Sequence, residues 1–221
     1  MQKLDEFFFT QFNSVHRFKK NQLIFWPDMQ PPGVFYVKSG FIRQYLVSES
    51  GKELTVNILK PGTYFPMVWA LNNTSNIYFY ECLTQTILFK APREKVVKQL
   101  EDNPDLLYDL TKRILSGLDG ITKMMETLLT GNAYRQIAYV VLVLAKRFGK
   151  LINKKEVRID VPLTHRLIGT LAGLSRESTS LELRKLTKNK IIAKKNGFML
   201  IKNMEKLEKE SQANSAENII L

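Results

Sequence analysis

Hydrophobic and polar residues follow two different patterns along the chain, and the change falls near residue 92. Before it, short apolar runs rich in Val, Ile, Phe and Tyr are separated by turn signals such as Pro61-Gly62. Many short strands at this spacing predict a sandwich or a barrel-like β-roll. The runs are LIFW, VFYVKSG, FIRQYLV, ELTVNIL, NIYFYECL and TILFKA.

From about Pro92 the apolar positions recur with a helical period, which predicts helices over residues 93–102, 105–129 and 133–148. In the second of these, apolar positions are spaced alternately by four and three residues, the heptad pattern of a two-stranded coiled coil. We therefore expect this helix to pair with a second copy of the chain, and complete burial in a monomer is the alternative. The heptad positions are Leu107, Thr111, Ile114, Leu118, Ile121, Met125 and Leu128.

Two shorter helices are predicted around the segment LTHRLIGTLAGLSRESTSLELRKL, residues 163–186. Thr164 is a suitable N-cap for the first helix, and Gly173 stands where a left-handed residue would end it. Ser175 is the next N-cap. The second helix buries Thr179, Leu183 and Leu186 and turns Glu177, Leu181, Arg184 and Lys188 outward. This arrangement is typical of a helix-turn-helix, and a generic packed pair of helices is the alternative.

A hairpin follows the second helix. The sequence IIAKK-NG-FMLIKN places Asn196-Gly197 between two short apolar runs, which is a strong signal for a two-residue turn. Lys194 and Lys195 flank the tip, so this wing can contact a phosphate backbone. The pattern predicts a winged helix-turn-helix.

The net charge of +12 is concentrated at the C-terminal end of the chain. Residues 1–130 hold 15 Lys and Arg against 13 Asp and Glu, a net of +2, whereas residues 131–221 hold 18 against 8, a net of +10. A basic module beside a nearly neutral one indicates a polyanionic partner, most often nucleic acid. A solvated surface is the alternative.

Composition excludes several other classes of protein. Apolar residues make up 44% of the chain, but no run approaches the roughly 18 residues of a membrane span, and the N-terminus does not resemble a signal peptide. We therefore expect a cytoplasmic protein without a membrane partner. The single cysteine, Cys82, permits neither an internal disulfide nor a multi-thiolate metal site. Catalytic motifs such as a P-loop, G-x-S-x-G or H-E-x-x-H are missing, so we expect no enzyme.

The winged segment resembles a known family. LTHRLIGTLAGLSRESTSLELRKL is similar to the DNA-binding motif of the cyclic-AMP receptor protein / fumarate-nitrate reduction regulator (Crp/Fnr) superfamily of bacterial transcription factors. GVFYVKSGFIRQYLVSESGKELTVNILKPGTYF is similar to the β-roll of that family, with glycines at its turn positions. The order of roll, short helix, long helix and winged helix also matches, and the resemblance covers about residues 15–203.

This resemblance implies an α+β fold with three parts. Residues 1–104 would form a cyclic-nucleotide-binding-like β-roll that senses an effector, residues 105–130 the dimerisation helix, and residues 131–221 the winged helix-turn-helix with a frayed tail. It implies a homodimeric, sequence-specific transcriptional regulator that binds an inverted repeat in double-stranded DNA, with RNA polymerase as a further candidate partner. An RNA-binding winged helix is the alternative, although RNA readers usually offer stacking aromatics and the wing holds only Phe198.

The family's motifs imply a set of DNA-binding residues. Arg176 and Glu177 match its base readers, and Ser175 and Ser178 match residues that brace phosphates, whereas Leu181 stands where a second reading arginine is common. The expected DNA-binding set is Thr164, Ser175, Arg176, Glu177, Ser178, Ser180, Arg184, Lys188 and Lys195. The expected dimer interface is Leu107, Ile114, Leu118, Ile121, Met125 and Leu128.

The roll departs from the family pattern where cyclic nucleotides bind. Met67 stands where family members carry the glutamate that meets the ribose, and NIYFY lacks the arginine that neutralises the cyclic phosphate. We therefore expect that cyclic AMP does not bind in the usual way. The cysteine cluster of iron–sulfur members is missing too, so we expect no metal or cofactor. The sequence does not identify the effector, which would be a small molecule. Aromatic residues that could line an effector pocket, or else belong to the roll core, are Tyr64, Phe65, Trp69, Tyr78 and Tyr80.

Overall fold

The computed structural model describes residues 6–153 and 156–212. Contacts divide the chain into two compact units, and the division lies between Gly117 and Leu118. The elements of the first unit, in chain order, are α1 (Glu6–Thr10), β1 (Val15–Phe18), β2 (Leu23–Phe25), β3 (Val34–Ser39), β4 (Ile42–Val47), β5 (Glu53–Leu59), β6 (Tyr64–Phe65), α2 (Met67–Asn72), β7 (Phe79–Cys82), β8 (Thr86–Ala91), α3 (Arg93–Glu101) and the first half of α4 (Pro104–Thr130).

Two antiparallel four-stranded sheets form the first unit, in the orders β1-β8-β3-β6 and β2-β7-β4-β5. Alternate strand residues point between the sheets, where Phe25, Phe35, Phe65 and Tyr80 stack with ring centroids 4.5–6.0 Å apart. The predicted β-roll is therefore confirmed, with its core between the two sheets.

Helices cover the other side of the first sheet. Phe9 of α1, Trp69 of α2, Leu100 of α3 and Leu110 of α4 share a second apolar cluster with Phe89 of β8. The predicted long helix is confirmed and runs continuously from Pro104 to Thr130. Leu106 and Leu110 of α4 pack against this cluster, whereas Leu129, near the other end of the helix, is 82% exposed.

The second unit is built around one buried helix. Its elements after α4 are α5 (Ala133–Phe148), β9 (Gly149–Asn153), β10 (Glu156–Ile159), α6 (His165–Ala172), α7 (Arg176–Lys188), β11 (Ile192–Lys195), β12 (Phe198–Ile201) and α8 (Met204–Ser211). Eight of the sixteen residues of α5 are buried, and α6, α7 and α8 all contact it. The strands make one antiparallel sheet in the order β11-β12-β10-β9.

Several elements were not expected from the sequence. Residues 150–160 contribute to the paired strands β9 and β10, for which no strand was predicted. The short helices α1, α2 and α8 carried too weak a period to be recognised. The tail expected to fray begins at Ser211, which ends α8, and residues 213–221 lie outside the described part of the chain.

Candidate nucleic-acid interface and effector cavity

Local hydrogen bonds stabilise the helix-turn-helix, and they involve the capping residues predicted from the sequence. The Thr164 hydroxyl accepts the Leu167 N–H at 3.0 Å and caps α6. Gly173 ends α6 in the left-handed region, with φ 67°, and the Leu174 N–H then donates to Gly169 O at 2.9 Å. These contacts fix the turn between α6 and α7.

The start of α7 is capped and exposed. Ser175 Oγ accepts the Ser178 N–H at 3.1 Å, and its hydroxyl donates to Ser178 Oγ at 3.1 Å. Both serines are therefore engaged with each other at the helix start, which leaves the Ser178 hydroxyl proton available to a phosphate. Thr179, Leu183 and Leu186 are buried, as the helical period predicted.

The expected DNA-binding residues all lie on α7, on the start of α6 or on the wing of the second unit. None is buried: Ser178 and Ser180 are half-buried and the others are exposed. The Arg184 Nε–H lies 3.4 Å from Ser180 O one turn earlier, so its guanidinium follows the surface of α7. The exposed members are Thr164, Ser175, Arg176, Glu177, Arg184, Lys188 and Lys195.

The wing has the predicted two-residue turn. Asn196 and Gly197 both have positive φ, 51° and 81°, as a type I′ turn requires, and Lys195 pairs with Phe198 across it. Phe198 is 36% exposed, and the Arg158 guanidinium lies 4.9 Å from the centroid of its ring. The aromatic residue on which the RNA-binding alternative depends is thus already covered in part by an arginine.

Positive charges of α7 and of the wing lie close to His165 at the start of α6. Partial burial lowers the pKa of His165, and nearby Lys194, Arg176 and Arg184 lower it further. A histidine at the start of α6 therefore experiences positive charge from the wing and from two turns of α7. The three elements form one basic surface that suits a polyanion. We call this surface the basic face; its exposed cations include Arg176, Arg184, Lys194 and Lys195.

A cavity of about 490 Å³ lies in the first unit. All five aromatic residues proposed from the sequence, Tyr64, Phe65, Trp69, Tyr78 and Tyr80, are among the residues that line it. Phe65 and Tyr80 also belong to the core between the sheets, so the two interpretations of these residues are compatible. The lining is mostly apolar, as small-molecule sites usually are.

Several polar side chains of the cavity lining are held by hydrogen bonds within the protein. The Gln44 amide Nε2 donates to the Tyr80 hydroxyl at 3.2 Å, and burial raises the pKa of Tyr80. Asn76 holds the backbone of Trp26 and Tyr78, with amide contacts of 2.8 and 2.7 Å to their carbonyl oxygens. Met67 also lines the cavity, where a family glutamate was missing.

The long helix contributes residues to the cavity that sequence reasoning missed. Leu110, Arg113 and Ile114 of α4 line it, and Arg113 is bound to Asp109 through its Nε at 2.9 Å and its Nη2 at 2.8 Å. The sequence could have indicated this position for Arg113, because Leu106, Leu110 and Arg113 share one flank of the helix at spacings of four and three. The cation of the lining therefore already has a carboxylate partner.

The expected pairing surface of α4 is exposed within the single chain. Five of the six apolar side chains assigned to it are between 45% and 56% exposed, and Leu128 is half-buried. A row of exposed Leu, Ile and Met at heptad spacing is the feature of a helix that packs against another helix. The five are Leu107, Ile114, Leu118, Ile121 and Met125.

Comparisons with known proteins agree with both units. The family profile described as a cyclic nucleotide-binding domain matches residues 15–103, and the profile described as a Crp-like helix-turn-helix domain matches residues 135–210. The chain belongs to the Crp/Fnr superfamily. The resemblance noted in the sequence and the fold class that it implied are thereby confirmed.

Crp/Fnr relatives span most of the chain. The global nitrogen regulator of Nostoc sp. is 27% identical over 181 residues, which is 81% of each protein. The transcriptional regulator SdrP of Thermus thermophilus is 25% identical over 206 residues, covering 92% of this chain and 97% of SdrP. The structure of FixK2 from Bradyrhizobium japonicum matches with a TM-score of 0.76 at 20% identity, covering 91% of this chain and 98% of that one, and supports the fold.

Within residues 6–153 and 156–212, none of the helices is long and apolar enough to cross a membrane. In that same part of the chain, no group of three or more His, Cys, Asp or Glu is arranged to hold a metal ion.

Burial raises the pKa of the Cys82 thiol to about 11, so this cysteine behaves as a core residue.

Proposed function

We propose that this Crp/Fnr protein is a homodimeric, sequence-specific DNA-binding transcriptional regulator that responds to an effector through its β-roll. The observation that carries the proposal is the basic face, where the capped start of α7 and the wing expose Arg176, Arg184, Lys194 and Lys195. Relatives named as a global nitrogen regulator and as a transcriptional regulator support it. Such a protein acts by binding and not by catalysis.

The start of α7 would enter the major groove. Arg176 would read guanine through its O6 and N7 atoms, and Glu177 would accept from cytosine N4. Capped hydroxyls and lysines would hold the backbone on either side and fix the register without reading sequence. The residues in that second role are Thr164, Ser175, Ser178, Ser180, Arg184, Lys188 and Lys195.

Pairing through α4 would place two such helices on one duplex. A twofold dimer requires half-sites whose centres are about 34 Å apart, one turn of B-DNA, which predicts an inverted repeat. The exposed heptad positions of α4 support this arrangement. In this proposal residues 1–104 sense the effector, residues 105–130 pair the two subunits, and residues 131–221 bind DNA. A DNA-bound dimer in the cytoplasm could then also contact RNA polymerase.

The effector would be an uncharged, largely apolar molecule that fits within a cavity of about 490 Å³. The cavity is walled by aromatic side chains, and within the described lining the one charged side chain, Arg113, is bound to Asp109. That arginine side chain is 58% exposed, so the described lining offers no buried cation to neutralise a cyclic phosphate, which is therefore disfavoured. Ile114 belongs to both the cavity lining and the heptad row, and gives the ligand a direct contact with the pairing helix. An effector changes activity only if it favours one dimer arrangement over another.

Selection of bound duplexes from random DNA tests the proposed function. We expect an inverted repeat, bound by one dimer. Insertion of about five base pairs between the half-sites rotates one of them by about half a turn and should reduce binding to the non-specific level. Enrichment of single-stranded RNA instead, or equal binding of both spacings, would contradict the proposal.

A further inference from the structure

One apolar side chain interrupts the charged surface of α7. Leu181 is 51% exposed, whereas Leu183 and Leu186 of the same helix are buried. The other exposed residues of α7, all within the described part of the chain, are polar or charged: Arg176, Glu177, Arg184, Lys185, Thr187 and Lys188. Leu181 therefore contributes little to the core of the second unit.

The position of Leu181 connects it with the groove-facing side of the helix. It follows Glu177 by four residues and precedes Arg184 by three, so the three side chains occupy one face. Leu181 lies about 7.5 Å along the helix axis from Arg176, at a rise of 1.5 Å per residue. When the start of α7 enters the major groove, this side chain meets base edges as well.

A leucine side chain can recognise only one chemical group in the major groove. It has no donor or acceptor, so it would leave the polar edges of guanine, adenine or cytosine without their water partners. Thymine alone presents an apolar group there, its C5-methyl. Covering that methyl removes apolar surface from water on both molecules, which is favourable.

We propose that Leu181 is a specificity-determining residue that selects thymine at one position of each half-site through contact with the C5-methyl group. This inference rests on the proposed function, since it requires α7 to lie in the major groove. It goes further in naming a base and an atom for the residue that replaces the arginine common in the family. The gain from one buried methyl corresponds to about a fourfold preference per half-site.

The experiment removes only the methyl group from the DNA. In a duplex selected by the protein, each thymine pair of the two half-sites is replaced in turn by deoxyuridine, which keeps every hydrogen bond of the base pair. The dissociation constant is measured by fluorescence anisotropy for the wild-type protein and for Leu181→Ala. At one position, the substitution should weaken wild-type binding by about fourfold per half-site, and Leu181→Ala should be indifferent to it.

Matched variants separate this role from a general effect. Leu181→Met keeps an apolar side chain and should preserve the discrimination. Leu151→Ala removes an equally apolar and even more exposed leucine, 75% exposed on β9, and should discriminate as the wild type does. Because Leu181 is exposed, we expect its variants to fold, and circular dichroism checks this.

Three results would overturn the inference. The first is wild-type binding that is unchanged by deoxyuridine at every thymine. The second is a Leu181→Ala variant that retains the same loss as the wild type. In both cases the proposed function stands, because the selected duplex is still bound. The third is failure of the protein to bind any duplex, which overturns the proposed function together with this inference.

Discussion

Gly169 of α6 lies directly against Thr179 of α7: a β-carbon built on Gly169 would be 2.8 Å from the Thr179 hydroxyl oxygen and 2.8 Å from the Leu174 carbonyl oxygen. The Thr179 hydroxyl already donates to Ser175 O at 2.7 Å, so it cannot turn aside without losing that bond. The backbones of the two helices therefore approach as closely as they do only because residue 169 has no side chain.

Gly169→Ala should destabilise the winged unit by about 1–3 kcal/mol, because the added methyl group overpacks this contact. Urea unfolding of the full chain measures the effect, and affinity for selected DNA should fall with it. Gly120→Ala is the control, since a β-carbon at that exposed position of α4 meets nothing within 4 Å and should be neutral or stabilising by up to about 1 kcal/mol. Equal stability of Gly169→Ala and wild type would contradict the close approach.

Leu118→Glu should separate the dimer into monomers. Leu118 is 56% exposed in the single chain and lies in the middle of the heptad row of α4. Two carboxylates buried across a pairing seam would cost about 3 kcal/mol or more, which weakens association by at least about 100-fold. Sedimentation measures the change.

The matched control for that experiment is Ser116→Glu, which introduces the same charge at an exposed position of the same helix away from the heptad row. It should leave the dimer intact. If both variants remain dimeric, or if the wild type is a monomer at high concentration, the proposed pairing through α4 is wrong.

His165 should report DNA binding through its pKa. Burial and the charges of Lys194, Arg176 and Arg184 lower this pKa in the free protein, and added phosphates should raise it because they favour the imidazolium. Binding then takes up a proton, so affinity should increase as the pH falls through the pKa of the complex. For the free protein the sign is opposite: folding stability decreases as the pH falls below the unfolded pKa, because the unfolded chain binds the proton more readily.

Proton NMR can follow this titration because the chain has only two histidines. We expect a His165 midpoint below the ordinary value in the free protein, a rise with added salt that screens the three cations, and a further rise with duplex DNA. The His16 midpoint is lowered by burial and by Lys90 in the other unit and serves as the internal control. A His165 midpoint that does not change when DNA is added would argue against contact between DNA and this part of the basic face.

Trp69 should report occupation of the cavity. It lines the cavity and is 8% exposed, whereas the other tryptophan, Trp26, is 51% exposed, so Trp26→Phe leaves a single reporter. An uncharged nitroaromatic such as 4-nitrobenzyl alcohol should quench the Trp69 emission with saturation, while cyclic AMP should leave the emission unchanged. Saturable binding of cyclic AMP with no response to the neutral probe would reverse the proposed ligand class.

The local signals in the winged unit were strong enough to predict it closely. Thr164, Gly173 and Ser175 were assigned as caps from residue type and spacing alone, and each has that role because capping and left-handed residues depend on neighbours within a few positions. The Asn196-Gly197 turn is equally local. The helix of residues 133–148 was predicted with its observed bounds, between a capping Asn132 and Gly149.

Features that depend on distant contacts were not accessible in this way. The strands β9 and β10 were not predicted, because β10 is ordered by pairing with β12, which follows both helices of the helix-turn-helix in the chain. Arg113 and Asp109 could have been recognised as an i,i+4 pair, but their position beside the cavity follows from the packing of α4 on the roll.

Arg176→Ala and Lys195→Ala, compared on a selected inverted repeat and on random duplex DNA, test the central claim most directly. If the start of α7 reads bases, loss of Arg176 should cost about 1–3 kcal/mol on the selected site and far less on random DNA. Loss of Lys195, a wing residue expected on phosphate, should weaken both duplexes alike and reduce the salt dependence by about one ion. An Arg176→Ala variant that loses equal affinity for both duplexes, or none for either, would contradict entry of this helix into the groove.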